Sequence, residues 1–165
     1  MLDELLSVVD EGDRVIGQMG RGEIHRLGLR HRSVHLLVFN QAGELLLQKR
    51  SMTKDSCPGY WDSSAAGHVE AGESYDQCVM REVTEELGVV LKELPSEICK
   101  LSPSKDNGME FCQAYQVVYE GPFIPEEGEV DELCWFSADE LATWLGEGGD
   151  NLTRSVKMIL AQLKK

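Results

Sequence analysis

Apolar residues recur along this chain first in a strand rhythm and then in a helical one. Residues 5–9 and 14–19 are short apolar-rich runs separated by Asp10, Glu11, Gly12 and Asp13, which predicts an opening β-hairpin. Residues 34–39 and 45–48 form a second pair of strands, split by Asn40, Gln41, Ala42 and Gly43. A turn-rich stretch, SMTKDSCPGYWDSSAAG, follows. From Ser74 to Leu87 there is neither proline nor glycine, and at about 100° per residue Val79, Met80, Val83 and Leu87 share one face. Ser74 and Glu73 offer a cap and negative charge at its start, and Gly88 offers a stop. Further strands are expected at residues 89–91, 110–119 and 132–136, and helices at 138–145 and 152–163. The mixture predicts an α/β fold with a mixed sheet between helical layers.

The polar positions of the central helix change the picture from fold to chemistry. Glu82, Glu85 and Glu86 fall within an arc of roughly 100° beside the apolar face. Like charges at i, i+3 and i+4 repel, so this stripe calls for a compensating cation. A hard divalent metal such as Mg²⁺ takes carboxylate oxygens, keeps several waters and gains further ligands from substrate phosphates. It would polarise a phosphoryl group and acidify a bound water, with a nearby free carboxylate taking the proton. The bland alternative is a solvated acidic face partnered by Arg81.

The chain has 165 residues, 42% of them hydrophobic, enough for the core of one domain spanning 1–165. Its net charge of −13 disfavours a nucleic-acid polymer or an anionic membrane as partner, while a small phosphorylated molecule remains compatible. The five cysteines are odd in number and contain no CxxC pair, as expected of reduced thiols in a cytoplasmic protein. The first residues lack a basic-then-apolar leader pattern, and no apolar run reaches about 18 residues. Monomer and homodimer both remain open.

Residues 67–89, GHVEAGESYDQCVMREVTEELGV, resemble at every defining position the signature of the Nudix hydrolases. That resemblance implies an α/β/α sandwich, Mg²⁺ or Mn²⁺ as cofactor, and hydrolysis of a diphosphate bond. It implies Glu82, Glu85 and Glu86 as metal ligands, with the Gly67 carbonyl as a further oxygen, and Glu73 with Arg81 as a structural ion pair. The general base in such a frame comes from the box or from a loop before a late strand. In EEGEVDELCWF, Glu129 is the first choice, ahead of Glu126, Glu127 and Glu132.

Residues 10–18 (DEGDRVIGQ), 25–32 (HRLGLRHR), 45–54 (LLLQKRSMTK) and 58–68 (PGYWDSSAAGH) further resemble the branch that includes isopentenyl-diphosphate isomerase. Arg50 and Lys54 match basic positions that engage the diphosphate there. The isomerases also hold a metal through histidines and glutamates, which makes His25, His31, His68 and Glu110 a possible second metal site. Two departures stand against isomerisation: Ala66 occupies the place of the catalytic cysteine, and Gly108 replaces one of a pair of acids. With a complete acidic box, the balance favours metal-dependent hydrolysis of a nucleoside or other organic diphosphate. The alternatives are isomerisation of an allylic diphosphate and a non-catalytic diphosphate-binding module.

Overall fold

The computed structural model describes residues 3–163. Strands β1 (Leu5–Val9) and β2 (Val15–Gly20) form the expected hairpin, which stays a separate two-stranded sheet. A short helix that the apolar pattern did not reveal, α1 (Arg21–Leu27), follows directly and ends at Gly28 in the left-handed conformation. It is too short to display a period, and Ile24 is the residue it buries.

The main sheet has seven strands. β3 (His31–Phe39) and β8 (Glu110–Val118) pair in parallel along their full lengths, and β7 (Ser96–Leu101) adds to β8 antiparallel. β4 (Leu45–Arg50) pairs along its length with β9 (Val130–Phe136), making the sheet mixed. The apolar residues at 89–91, expected to form a strand, lie in an irregular connection instead. Val89 fills core volume beneath the central helix without joining a ladder, and the pairing role passes to the more polar SEICKL segment of β7.

The feature that builds the site is a split between β3 and β4. They pair only through Val38 with Leu46 and Phe39 with Leu45, then diverge. Residues read from sequence as turns fill the wedge: β5 (Trp61–Asp62) joins β4, and β6 (Ala65–His68) joins β3. Ser64 stitches the apex, its hydroxyl accepting from Val38 N at 2.8 Å and donating to the Leu46 carbonyl. Ser63 and Ser64 made this segment look like a loop, yet the Ser64 hydroxyl satisfies backbone groups of β3 and β4 where the two strands part.

One face of the sheet is covered by α2 (Tyr75–Leu87), whose Val79, Val83 and Leu87 pack on Val34, Leu36 and Val38. The other is covered by α3 (Ala138–Gly146) and α4 (Arg154–Leu163), which bury Leu141, Val156 and Ile159 against Leu37, Leu45 and Leu47. β3 is therefore buried on both faces, which explains its nearly unbroken apolar run. The result is the expected α/β/α layering. No helix among the described residues is long and apolar enough to cross a membrane.

Asp13 clamps the hairpin to this body. It sits at φ 62°, a backbone state that Asp tolerates better than most residues, and its side chain is 9% exposed. It accepts from Arg32 Nε at 2.7 Å, from the Tyr75 hydroxyl at 2.8 Å and from Lys100. Burial works to raise its pKa, but the Lys100, Arg32 and Tyr75 donors outweigh it and hold the carboxyl below its ordinary value. The stabilisation is therefore present above the unfolded carboxyl's value of 3.8 and is lost as pH falls through the lower folded value. Asp13→Ala is expected to cost about 2–4 kcal/mol at neutral pH by stranding partly buried donors. Urea unfolding of both proteins at pH 7 and in strong acid checks this: the difference must shrink in acid, and an equal loss at both would contradict it.

Candidate active site

Helix α2 is fixed at both ends by local chemistry. Ser74 Oγ accepts from Gln77 N at 3.1 Å while Gln77 Oε1 accepts from Ser74 N at 3.0 Å, a reciprocal capping box. Gly88 closes the helix at φ 68°. With the apolar face locked onto the sheet, the acidic stripe must look along the edge of β6.

Three glutamates of that stripe meet different environments. Glu82 and Glu86 are buried, 8% and 9% exposed, whereas the Glu85 side chain is 49% exposed. Burial, then the neighbouring Glu86 charge, pushes Glu82 up to about 8. Burial likewise pushes Glu86 up to about 7, against hydrogen bonds from Ala66 and Gln48 that favour its charged form. Arg81 braces the group, donating to Glu73 Oε2 at 2.7 Å, Glu73 Oε1 at 2.9 Å, Glu82 Oε1 at 2.8 Å and Glu85 Oε2 at 3.1 Å. It also donates to the His68 carbonyl at 3.2 Å, tying the helix to β6. Thus Glu73 and Arg81 are ion-paired, as the signature implied, and Arg81 reaches further than that pair.

Gly67 lies directly against the Glu82 carboxylate: a Cβ built there would stand 2.1 Å from Glu82 Oε1 and 2.7 Å from Oε2. Only glycine lets the acid and the β6 backbone come this close. Two buried carboxylates and a backbone carbonyl of this kind form an oxygen donor set suited to a hard divalent cation. The single Arg81 cation compensates Glu82 and Glu85 and makes no bond to Glu86.

The loop before β9 is anchored to the same helix end, with Glu126 N donating to the Glu86 carbonyl at 2.9 Å and Ile124 N to the Leu87 carbonyl at 2.8 Å. Burial, then Glu129 and Glu85, raises the Glu126 carboxyl above its usual range. Glu129 is ion-paired with Lys54. Arg50 is spent within its own loop, donating to the Ser56 carbonyl at 3.0 Å, Ser56 Oγ at 3.3 Å and Asp62 Oδ2 at 3.2 Å. The two cations matched to diphosphate-engaging positions thus have protein acceptors here, nearby in sequence for Arg50 and 75 residues away for Lys54.

On the opposite face of β6, α1, β3, β6 and β8 bring together His25, His31, His68 and Glu110. The three ring centroids are 5.2 to 5.3 Å apart, and one nitrogen from each lies within 4.8 Å of the others. Glu110 Oε1 is 3.0 Å from His68 Nε2 and 3.7 Å from His31 Nε2. His31 Nδ1 lies 2.9 Å from the Leu29 carbonyl, which accepts its proton, and the buried Nε2 has no hydrogen-bond partner. Burial lowers the pKa of both His31 and His25, favouring the neutral rings that ligate metals. In that tautomer a bare Nε2 lone pair faces a carboxylate, an arrangement that a cation resolves.

The NUDIX domain family matches residues 29–156, and the chain belongs to this family. It is 37% identical over 142 residues to the Nudix hydrolase PA4841 of Pseudomonas aeruginosa, covering 84% of this chain and 81% of that protein. It is 33% identical over 138 residues to the Nudix hydrolase YfcD of Escherichia coli K12, covering 84% and 76%. Among solved structures, DR0079 from Deinococcus radiodurans superposes with a TM-score of 0.82 at 26% identity, over 96% of this chain and 98% of that one. The protein is a Nudix hydrolase, an enzyme of the kind that cleaves pyrophosphate linkages.

Sequence reasoning missed Gln48, which the site uses. Its signal was a lone glutamine directly after three leucines, the last buried residue of β4. Gly67→Ala is expected to push the Glu82 carboxylate away and weaken Mn²⁺ binding about tenfold or more. Electron paramagnetic resonance titration of free Mn²⁺ reads this; wild-type affinity in a folded variant would contradict the role given to that contact.

Proposed function

We propose that the protein is a metal-dependent diphosphate hydrolase acting as one unit over residues 1–165. Its substrate is a nucleoside di- or triphosphate or another organic diphosphate. The observation that carries this reading is the pair of buried carboxylates, Glu82 and Glu86, set against Gly67 with too few cations to neutralise them. Mg²⁺ or Mn²⁺ fits Glu82, Glu85, Glu86 and the Gly67 carbonyl, and when bound supplies charge neutralisation at phosphate and a more acidic water.

The chain's own groups then divide the work. Glu129 is the general base in this reading, held by Lys54 until a phosphate oxygen competes for the ammonium. Lys54 moves to the diphosphate, and Arg50 supports it by fixing the loop that carries it. Water attacks phosphorus, the bridging P–O bond breaks with its electrons leaving on the departing phosphate, and Glu129 takes the water proton. Ala66 presents a methyl group where isomerisation would need an acid, which supports hydrolysis over double-bond migration.

The substrate panel follows from this chemistry: nucleoside di- and triphosphates, nucleotide sugars, dinucleotides and isoprenoid diphosphates, each with Mg²⁺ and Mn²⁺. ADP-ribose belongs in it, because the Nudix domain of Shewanella oneidensis NrtR, a fold neighbour at 18% identity with a TM-score of 0.62, was solved with ADP ribose. Phosphate, pyrophosphate or nucleoside monophosphate release is expected, reduced about a hundredfold or more in Glu86→Gln. Double-bond migration without phosphate release, or tight binding with no turnover across the panel, would overturn the assignment.

The histidine cluster supports a second cation, of a transition metal that accepts imidazole, at His25, His31, His68 and Glu110. Metal analysis of the purified protein is expected to find it, with His31→Ala and His68→Ala each lowering the content and Glu86→Gln leaving it. Equal metal content in all four proteins would contradict this second site.

A further inference from the structure

We infer that Gln48 is a positioning residue that selects which oxygen of Glu86 faces the metal. Gln48 lies on β4 and is 4% exposed. Its side-chain amide donates twice, to the Ser64 carbonyl at 3.1 Å and to Glu86 Oε1 at 3.1 Å, so both of its N–H groups are committed. Ala66 N donates to the same Glu86 oxygen at 2.8 Å. Both donors therefore fall on Oε1. Among the described residues none falls on Oε2, and that oxygen is not sealed from solvent.

This asymmetry has a geometric consequence. A glutamate on a helix has a soft terminal torsion, and two buried donors on one oxygen fix it. Hydrogen bonds to a charged acceptor are the stronger kind. Ala66 N comes from the wedge segment and the Gln48 amide from β4, so the carboxylate is oriented from both sides of the sheet split. Because the Ser64 carbonyl holds the amide of Gln48 in turn, the strand junction sets the direction of Oε2. The inference rests on Glu86 being a ligand of the box metal, and it adds a residue outside the box to that site.

The test is Mn²⁺ binding to substrate-free protein, read by electron paramagnetic resonance as the fraction that Glu86→Gln removes. Gln48→Met keeps the volume and loses both donors; Gln48→Asn keeps the amide and loses its reach. Ser64→Ala disturbs the same junction through Val38 N and the Leu46 carbonyl without removing a donor from Glu86. Each Gln48 variant that folds by circular dichroism is expected to weaken that Mn²⁺ fraction about tenfold or more, while Ser64→Ala lowers the melting temperature and leaves the affinity within about twofold. Wild-type affinity in a folded Gln48 variant overturns the inference, as does an equal loss in Ser64→Ala. If Glu86→Gln itself binds Mn²⁺ like wild type, the ligand reading of Glu86 fails and the role of Gln48 falls with it.

Discussion

Two carboxylates held close together out of water are the constraint around which this molecule is arranged. Like charges repel more strongly where water is excluded, and burial adds its own cost to each charged form. Evolution could have removed the conflict by making either residue neutral. Instead the chain keeps Glu82 and Glu86 buried and supplies one arginine, shared among Glu73, Glu82 and Glu85, and leaves Glu86 to backbone and amide donors. Strain of this kind, kept where a neutral side chain would be more stable, is the trade between stability and function expected of an active site.

The sheet split makes the arrangement possible. Had β3 and β4 paired along their full lengths, there would be no gap for β5 and β6, and no β6 backbone beside the acids of α2. The wedge brings Ala66 N to Glu86 and the Gly67 backbone to Glu82, while the next residue, His68, turns to the other face and joins the histidine cluster. One four-residue strand thus serves two groups of ionisable side chains on opposite sides of the sheet. The loop before β9 completes the acidic edge because its backbone is pinned to the last turn of α2.

The parts readable in advance were those governed by local rules. The bounds of α2 were set by Ser74 and Gly88, and its two faces by period, so the acidic stripe was legible before any tertiary contact was known. The layering followed from the alternation of elements. What escaped depended on residues far apart in sequence. Ser63 and Ser64, between β5 and β6, looked like a turn because their partners lie on other strands: His35 for Ser63, and Val38 and Leu46 for Ser64. Residues 89–91 had strand-like composition but no free sheet edge, whereas Ser96–Leu101 found one on β8. Arg50 and Lys54 were visible as charges, and their partners Asp62 and Glu129 were not. Gln48 lay outside every motif, and its role emerges only from the carboxylate it touches.

In the proposed reading, the buried acids burden the metal-free protein and a cation relieves them. Their raised pKa values mean that the folded state holds protons the unfolded chain has released, so this burden grows as pH rises from 4.5 and is complete above about 8. The most direct measurement is thermal unfolding at pH 8 of wild type and of a Glu82→Gln, Glu86→Gln double variant, each with chelator and with excess Mn²⁺. The double variant is expected to melt higher than wild type in chelator, and Mn²⁺ to raise wild type by a larger increment than the variant. A variant that melts lower than wild type in chelator, together with equal Mn²⁺ shifts in the two proteins, would contradict it.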